Sequence, residues 1–401
     1  MGTLIDDREL APKIRLDGTA RARTADHTWL RIEPHLETAG ITRVADVTDL
    51  DYVRIPVAMA VRPLSESLSV SQGKGASRQL AKISAAMESL ETWHAENIGL
   101  PTVRAEHSSD DLGYDLTAHF GSHLCRPLLM DEVLEYYAAT TMISGEPIAV
   151  PRGLVDISFA RCDFRMNPFR ETSSGLASGN EPDEAALHGL YEIFERDSTA
   201  RLGAPGDRIP IDPRSVRDTH CAFLIERMME AGWDLTLDAV PSRFGVPTFI
   251  ASVFSHEYPL ECAGAGTHGD SAIAMSRALT EAAQTRLTGI SGTRDDLPVV
   301  PVWELLAVGP RQMNVVETRS VQEAEAECGF RSIDGATITD DLQEAARRAL
   351  LVTGFEPVVL DLTAAGMRSD LAVVKVLLPG AVADRRGGIP GPSEMQAQRA
   401  G

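Results

Sequence analysis

The sequence predicts a mixed α+β fold rather than a regular doubly wound sheet. Three observations carry this. Apolar runs of strand length alternate only loosely with helical stretches. Several strand candidates stand beside one another, as residues 136–142 and 147–150 do across Ser144-Gly145. Three Gly-rich segments each lead into a long helical stretch, at intervals too wide for a solenoid repeat. The expectation is a single domain of mixed sheets, with three loop-helix units surrounding a common site.

From the N-terminus, a helix is expected around residues 30–39, then a buried strand at 53–61 and a second at 67–71. The sequence SQGKG reads as a Gly-rich loop, and residues 77–96 as the helix it opens. The 136–150 hairpin comes next. Residues 172–180 are small, polar and Gly-rich, and read as the second loop. Residues 183–201 read as its helix, with Pro182 just before and Asp183 near the start. A helix at 216–232 and strands at 235–238 and 247–254 precede the third loop, GAGTHG at 264–269, and its helix. Residues 318–333 are polar and acidic and read as an exposed lobe or loop. A helix at 340–353 and strands at 357–362 and 371–378 follow. This divides the chain into residues 1–60, an N-terminal segment packed on the core, a main domain at 61–380, and a Gly/Pro-rich polar tail at 381–401.

The chain has 401 residues, 43% hydrophobic and 24% charged, which is ordinary globular composition. Lys and Arg number 38 against 58 Asp and Glu, a net charge of -20 that disfavours nucleic-acid binding through phosphates. Cys125, Cys162, Cys221, Cys262 and Cys328 form no CxxC pair and their number is odd, so reduced thiols in a cytoplasm are expected. No secretory pattern opens the chain. The apolar run from Leu371 is broken by Lys375 and Pro379, so no membrane span is expected.

The three helices share a register. The first carries Glu88 and Glu91, the second Glu192 and Glu195, the third Glu281 and Gln284. Thirteen residues before the first acid of each pair stand Gly75, Gly179 and His268. Three before stand Ala85, Gly189 and Ala278, and seven before, Ala81, Ala185 and Ala274. Those offsets lie on the acid's own side of a helix, so each pair sits beside a small-residue strip that backbones or a ligand can approach closely. A single acidic pair is usually a solvated face. Three in one register are better explained by a common site. Oxygen ligands without paired His or Cys favour a hard cation, Mg²⁺ above all, together with a polyphosphate that supplies its other ligands. Lys74, Arg277, Arg286 and Arg294 are available to face the phosphates.

Other signals are weaker. GAGTHG matches GxGxxG, but no acid-ended strand follows at the spacing a dinucleotide fold requires. Gly73-Lys74-Gly75 lacks the upstream Gly and the Ser or Thr of a Walker loop. His119, His123 and Cys125 are interrupted by Gly121 and have no fourth partner, so packing or surface roles are expected. Ser173 and Ser174 have no nucleophile-elbow context.

Together, SQGKG with SAAMESLE, SSGLASGNEPDEAALHGLYEIFERD, and RALTEAAQTR resemble the YcaO family over residues 61–380. The resemblance implies a single α+β domain that binds ATP and several Mg²⁺ ions and modifies peptide backbones. It implies that Glu88, Glu91, Glu192, Glu195 and Glu281 are metal or nucleotide ligands. Lys74, Gln284 and Arg286 would contact phosphates, directly or through metal, and Ser174 and Asn180 would lie in a nucleotide-contacting loop. Thr92 departs from the Arg that commonly follows the first acidic pair. Ile389-Pro390-Gly391-Pro392 is an incomplete form of the Pro-x-Pro-x-Pro ending of azoline-forming members, which favours thioamide or amidine formation over cyclodehydration of Cys, Ser or Thr. The partners implied are a precursor peptide or protein as substrate and a partner protein that delivers peptide or sulfur. A homo-oligomer is compatible with the sequence. A non-catalytic peptide-binding member and an unrelated ATP-dependent ligase are the alternatives.

Overall fold

The computed structural model describes residues 12–108, 112–158, 167–170, 172–203, 207–293 and 316–382. It opens with a hairpin of Ile14–Leu16 (β1) and Thr19–Arg21 (β2), then the helix Ala25–Ile32 (α1), capped by Thr24. Arg43–Asp46 (β3), Val57–Val61 (β4) and Val70–Lys74 (β5) form a three-stranded antiparallel sheet, followed by Arg78–Glu96 (α2). Thr102–Glu106 (β6), Leu116–Phe120 (α3), Val133–Thr141 (β7), Pro147–Pro151 (β8) and Leu176–Gly179 (β9) lead to Pro182–Ala200 (α4). Ile209–Ile211 (β10), Thr219–Glu230 (α5), Asp234–Ala239 (β11), Thr248–Phe254 (β12) and Cys262–Thr267 (β13) precede Ser271–Ser291 (α6). Strands β10 to β13 form a four-stranded antiparallel sheet in chain order. Val321–Cys328 (α7), Ile338–Thr353 (α8), Val358–Asp361 (β14) and Ala372–Leu377 (β15) complete the described chain. The last two strands join the middle of the chain in a six-stranded sheet ordered β6-β7-β14-β15-β9, with β8 on β7. The β7–β8 hairpin turns where expected, at Gly145 with φ 73°.

The Gly-rich segments expected as loops are largely strands. Their glycines serve close packing of each strand against the helix it feeds. A Cβ on Gly73 would lie 2.0 Å from the Ala85 nitrogen, one on Gly264 2.3 Å from that of Ala282, and one on Gly179 2.6 Å from that of Ala185. The shared strip of small residues is thus the helix side of a strand–helix contact. Of its two readings, backbone approach and ligand approach, the structure shows the first. Gly264→Val is expected to destabilise the fold by roughly 3 kcal/mol in denaturant unfolding, because backbone on both sides must move. Gly99→Ala, whose Cβ would meet nothing within 4 Å, is the control expected to change nothing.

Other expectations are corrected. Arg54 takes a left-handed φ of 55°, so the buried Val53 and Ile55 belong to a turn and the strand begins only at Val57. The second strand starts at Val70 and absorbs the first glycine segment. The acidic 318–333 stretch contains α7, held by a capping box in which Ser320 and Glu323 satisfy each other's backbone. The 381–401 tail is described only to Val382, and Arg294 lies outside the described residues.

Three large apolar clusters among the described residues support the frame. Leu90, Phe120, Tyr136 and Leu154 pack between α2 and the six-stranded sheet. Leu224, Met228, Phe249 and Leu279 fill the space between α5, α6 and the four-stranded sheet. Leu190, Phe194, Ala345 and Val376 join α4 and α8 to β15.

The units close on one another in a ring. Helix α2 packs on β4 and β5 of its own sheet and also touches β9. Helix α4 packs on β9 and β15 and touches β13, and α6 packs on β12 and β13 and touches β5. Each helix therefore lies over its own sheet and against the strand of the next unit. That arrangement sends the two acidic pairs and the Glu281–Gln284 pair toward one another.

Candidate functional site

The ring determines what each carboxylate meets. Glu91 reaches across to β9, where the Ser178 backbone N–H (2.9 Å) and hydroxyl (2.5 Å) donate to one of its oxygens. Glu281 reaches from α6 to β5, where it pairs with Lys74. Lys74 and Ser178 hold equivalent places, each one residue before the register glycine Gly75 or Gly179. Glu192 accepts from the Gly175 N–H at 3.3 Å, just ahead of its own strand.

The carboxylates fall into two groups by mutual influence. Burial, with the charges of Glu88 and Glu192 adding to it, pushes the Glu91 carboxyl up to about 8. Burial, then the charge of Glu281, pushes Glu195 up to about 7. Burial also works against a charged Glu281, but Lys74, with Arg196 and Arg277 beyond it, outweighs burial and holds that carboxyl below its ordinary value. Arg196 spans both groups. Burial opposes its charge too, yet Glu192, Glu195 and Glu281 together raise its pKa.

Cations border this acid on one side. Arg277 donates to His188 at 3.1 Å, and its own Nε is buried without a partner. Arg21, on the N-terminal hairpin, stands 3.6 Å from Glu184, and the Ala22 N–H donates to the same carboxylate. Burial, then the nearby positive charges of Arg277, Arg21 and Lys74, keeps His188 uncharged at neutral pH.

The structure therefore brings together Glu88, Glu91, Glu192, Glu195, Glu281 and Lys74. Gln284 stands beside them, its amide 3.4 Å from Gln72 on β5. Asn180 is set in the hairpin contact, donating to Glu184 at 3.1 Å and accepting from the Thr28 hydroxyl at 2.7 Å. Ser174 lines a pocket with Arg196. Arg286 is the exception. Five residues past Glu281 it leaves the helix about 140° round from it. Its guanidinium is buried against Asp51 at 2.9 Å and Ser255 at 2.9 Å, over the rings of Tyr52, Trp233 and Tyr258. The phosphate contact expected of Arg286 is thus replaced by a structural ion pair joining the 51–52 turn to the four-stranded sheet.

Arg277, named from the sequence as available to the phosphates, is here, and so are two residues that the motif reading passed over, Arg196 and Lys375. The role of Arg196 depends on which other helices face it, which one helix cannot show. Lys375 is fully buried in the centre of β15, and its ammonium donates to the Thr172 carbonyl at 2.6 Å. Burial pulls its pKa down to about 8 despite the nearby Glu192. A lysine in an otherwise apolar strand was the one signal available for it.

The side chains fit a metal-bound polyphosphate. Burial, with neighbouring carboxylates adding to it, pushes Glu91 and Glu195 toward protonation, and a bound cation would favour their charged forms. Among the described residues, no three His, Cys, Asp or Glu side chains gather closely enough to hold a metal ion by themselves. Mg²⁺ takes one or two carboxylates and completes its shell with phosphate and water. Lys74, Arg196 and Arg277 are placed to meet the phosphate charge.

Fold and site together define an α+β protein with three strand–helix units ringed around a carboxylate cluster edged by cations. Residues 72–382 match a family model described as YcaO cyclodehydratase, ATP- and Mg²⁺-binding. A Rhizobium leguminosarum bv. trifolii protein, described as uncharacterised and in the tfuA 3′ region, is 35% identical over 391 residues, 92% of this chain and 90% of its own. An uncharacterised protein of Mycobacterium tuberculosis H37Rv is 43% identical over 285 residues, 70% of this chain. That match spans 64% of the mycobacterial protein's length. The chain belongs to the YcaO family. Its fold is also that of YcaO from Methanopyrus kandleri bound with AMPPCP and Mg²⁺, with TM-score 0.69 at 22% identity, over 95% of this chain and 99% of that one. A heterocyclase in complex with substrate and cofactor aligns with TM-score 0.72 at 21% identity, over 93% of this chain and 55% of that one. No helix among the described residues is long and apolar enough to cross a membrane.

Proposed function

We propose that the chain uses ATP to activate a peptide backbone amide, so that the amide oxygen leaves as phosphate once a nucleophile has added to the carbonyl carbon. The observation that carries this is the meeting of three acidic helices with Lys74, Arg196 and Arg277. Glu88, Glu91 and Glu192 on one side, and Glu195 and Glu281 on the other, would hold the Mg²⁺. When bound, Mg²⁺ withdraws charge from the phosphates and stabilises the transferring phosphoryl group. Lys74, Arg196 and Arg277 supply fixed positive charge where the phosphoryl oxygens gain negative charge. Lys74 would exchange its present partner Glu281 for phosphate as metal arrives. Ser174 and Asn180 flank the acidic cluster as nucleotide contacts, and Gln284 would reach phosphate or metal from beside Gln72.

An amide oxygen is a poor leaving group, and phosphorylation corrects this without an acid strong enough to protonate it. The nucleophile then sets the product. External sulfide gives a thioamide, a backbone amine an amidine, and a Cys, Ser or Thr side chain an azoline. We favour thioamide or amidine formation during maturation of a ribosomally made peptide or protein. Peptide or sulfur delivery is assigned to a partner protein. The Rhizobium relative is described by its place in the tfuA 3′ region, so the tfuA product's counterpart is the first partner to try.

The test is ADP release with a candidate precursor peptide and that partner, followed by product mass. Sulfur in place of oxygen marks a thioamide, and loss of one water an amidine or azoline. Two substrates joined, or ADP release indifferent to every peptide, would exclude the proposal.

A further inference from the structure

Lys375 lies fully buried in the middle of β15, where every other residue of the strand is apolar. An aliphatic side chain would pack there without the cost of taking an ammonium out of water. The ammonium donates to a backbone carbonyl, that of Thr172, at 2.6 Å. A neutral donor satisfies a carbonyl as well. The reason for a lysine therefore lies outside the packing of its own strand.

The turn it holds supplies that reason. Residues 172–175 lead into β9 and are bound to β15 at both ends. Lys375 holds the Thr172 carbonyl, and the Val376 N–H donates to the Gly175 carbonyl at 2.7 Å. Between these anchors the Thr172 hydroxyl donates to Ser174 Oγ at 2.8 Å and accepts from the Ser174 N–H at 3.1 Å. Gly175 has a left-handed φ of 77°, and a Cβ there would lie 2.2 Å from the Val376 carbonyl oxygen, so the turn lies tight against the strand. From that position the Gly175 N–H donates to Glu192 at 3.3 Å. Burial opposes the Lys375 charge and Glu192 favours it, so one ammonium bears on the turn and on the carboxylate beside it.

We propose that Lys375 is a positioning residue for the metal–nucleotide site: by fixing the Thr172 carbonyl it sets the 172–175 turn, so that the Gly175 N–H orients the Glu192 carboxylate and Ser174 is held where it meets the nucleotide. The inference rests on the reading of the acidic cluster as that site. It adds a residue from the last described strand, outside all three motifs, that acts through the turn and not by touching phosphate.

The test is calorimetric titration of the full chain with AMPPCP and Mg²⁺, beside thermal unfolding without ligand. Lys375→Met keeps most of the length and the apolar fill and loses the charge and the donor. It is expected to weaken AMPPCP binding about tenfold and to raise the Mg²⁺ concentration needed for half-saturation. Its melting temperature is expected to be no lower than that of the wild type, because removing a buried charge offsets the lost hydrogen bond. Thr172→Val leaves the lysine in place, cuts both side-chain bonds to Ser174, and is expected to weaken binding in the same direction. A Lys375→Met protein that binds AMPPCP and Mg²⁺ as the wild type does, whatever its melting temperature, would make the lysine purely structural and overturn the assignment. Should Lys375→Met fail to fold, Thr172→Val decides: weakened binding sustains the role of the turn and wild-type binding overturns it. A wild type that fails to bind AMPPCP with Mg²⁺ would instead overturn the function on which the inference rests.

Discussion

Glu195→Gln is expected to lower peptide-dependent ATP turnover about 10²- to 10³-fold, the scale on which one preorganised charge acts in a transition state. The side chain keeps its shape and loses the charge that would hold metal. The same variant is expected to stabilise the metal-free protein at high pH. The folded state keeps the Glu195 proton up to about 7, whereas the unfolded chain releases it near 4.5. Folded wild type therefore binds more protons between those values and loses stability as pH rises through them, by at most about 3 kcal/mol. Urea unfolding without metal should find wild type and Glu195→Gln close at pH 5 and the variant the more stable at pH 8. Magnesium with AMPPCP should restore the wild type and not the variant. Unchanged turnover together with unchanged pH dependence would remove Glu195 from the site.

Arg286→Met is expected to cost about 3–5 kcal/mol of stability, because it strands the buried Asp51 carboxylate. One Asp51 oxygen already lacks a hydrogen-bond partner, so loss of the guanidinium leaves the charge with little compensation. Removing both charges, as Asp51→Leu with Arg286→Met, should recover most of the loss. The folded fraction of the single variant should bind AMPPCP as before. The opposite pattern, normal thermal unfolding with weakened nucleotide binding, would return Arg286 to the phosphates.

The sequence exposed the register but not its physical cause. Gly73, Gly179 and Gly264 read as loop residues because glycine favours turns, yet they sit in strands where a helix backbone leaves no room for a Cβ. The acidic pairs were legible because helical spacing alone puts two carboxylates on one face. Their meeting depends on α2, α4 and α6 each crossing to the neighbouring strand, a long-range fact that local pattern does not encode. Arg286 shows the limit most plainly. Its position in the third motif pointed to phosphate, and a buried acid far upstream in the chain claims it instead. Arg196 was not singled out from the sequence, and it becomes distinctive only beside Glu192, Glu195 and Glu281.

The most direct measurement is the anomalous scattering of Mn²⁺ in crystals grown with AMPPCP. Metal peaks touching the carboxylates of Glu91 or Glu192 on one side and Glu195 or Glu281 on the other, with the triphosphate between them, are the result expected here. Peaks remote from all five acidic side chains, or a triphosphate bound outside the ring of α2, α4 and α6, would contradict it.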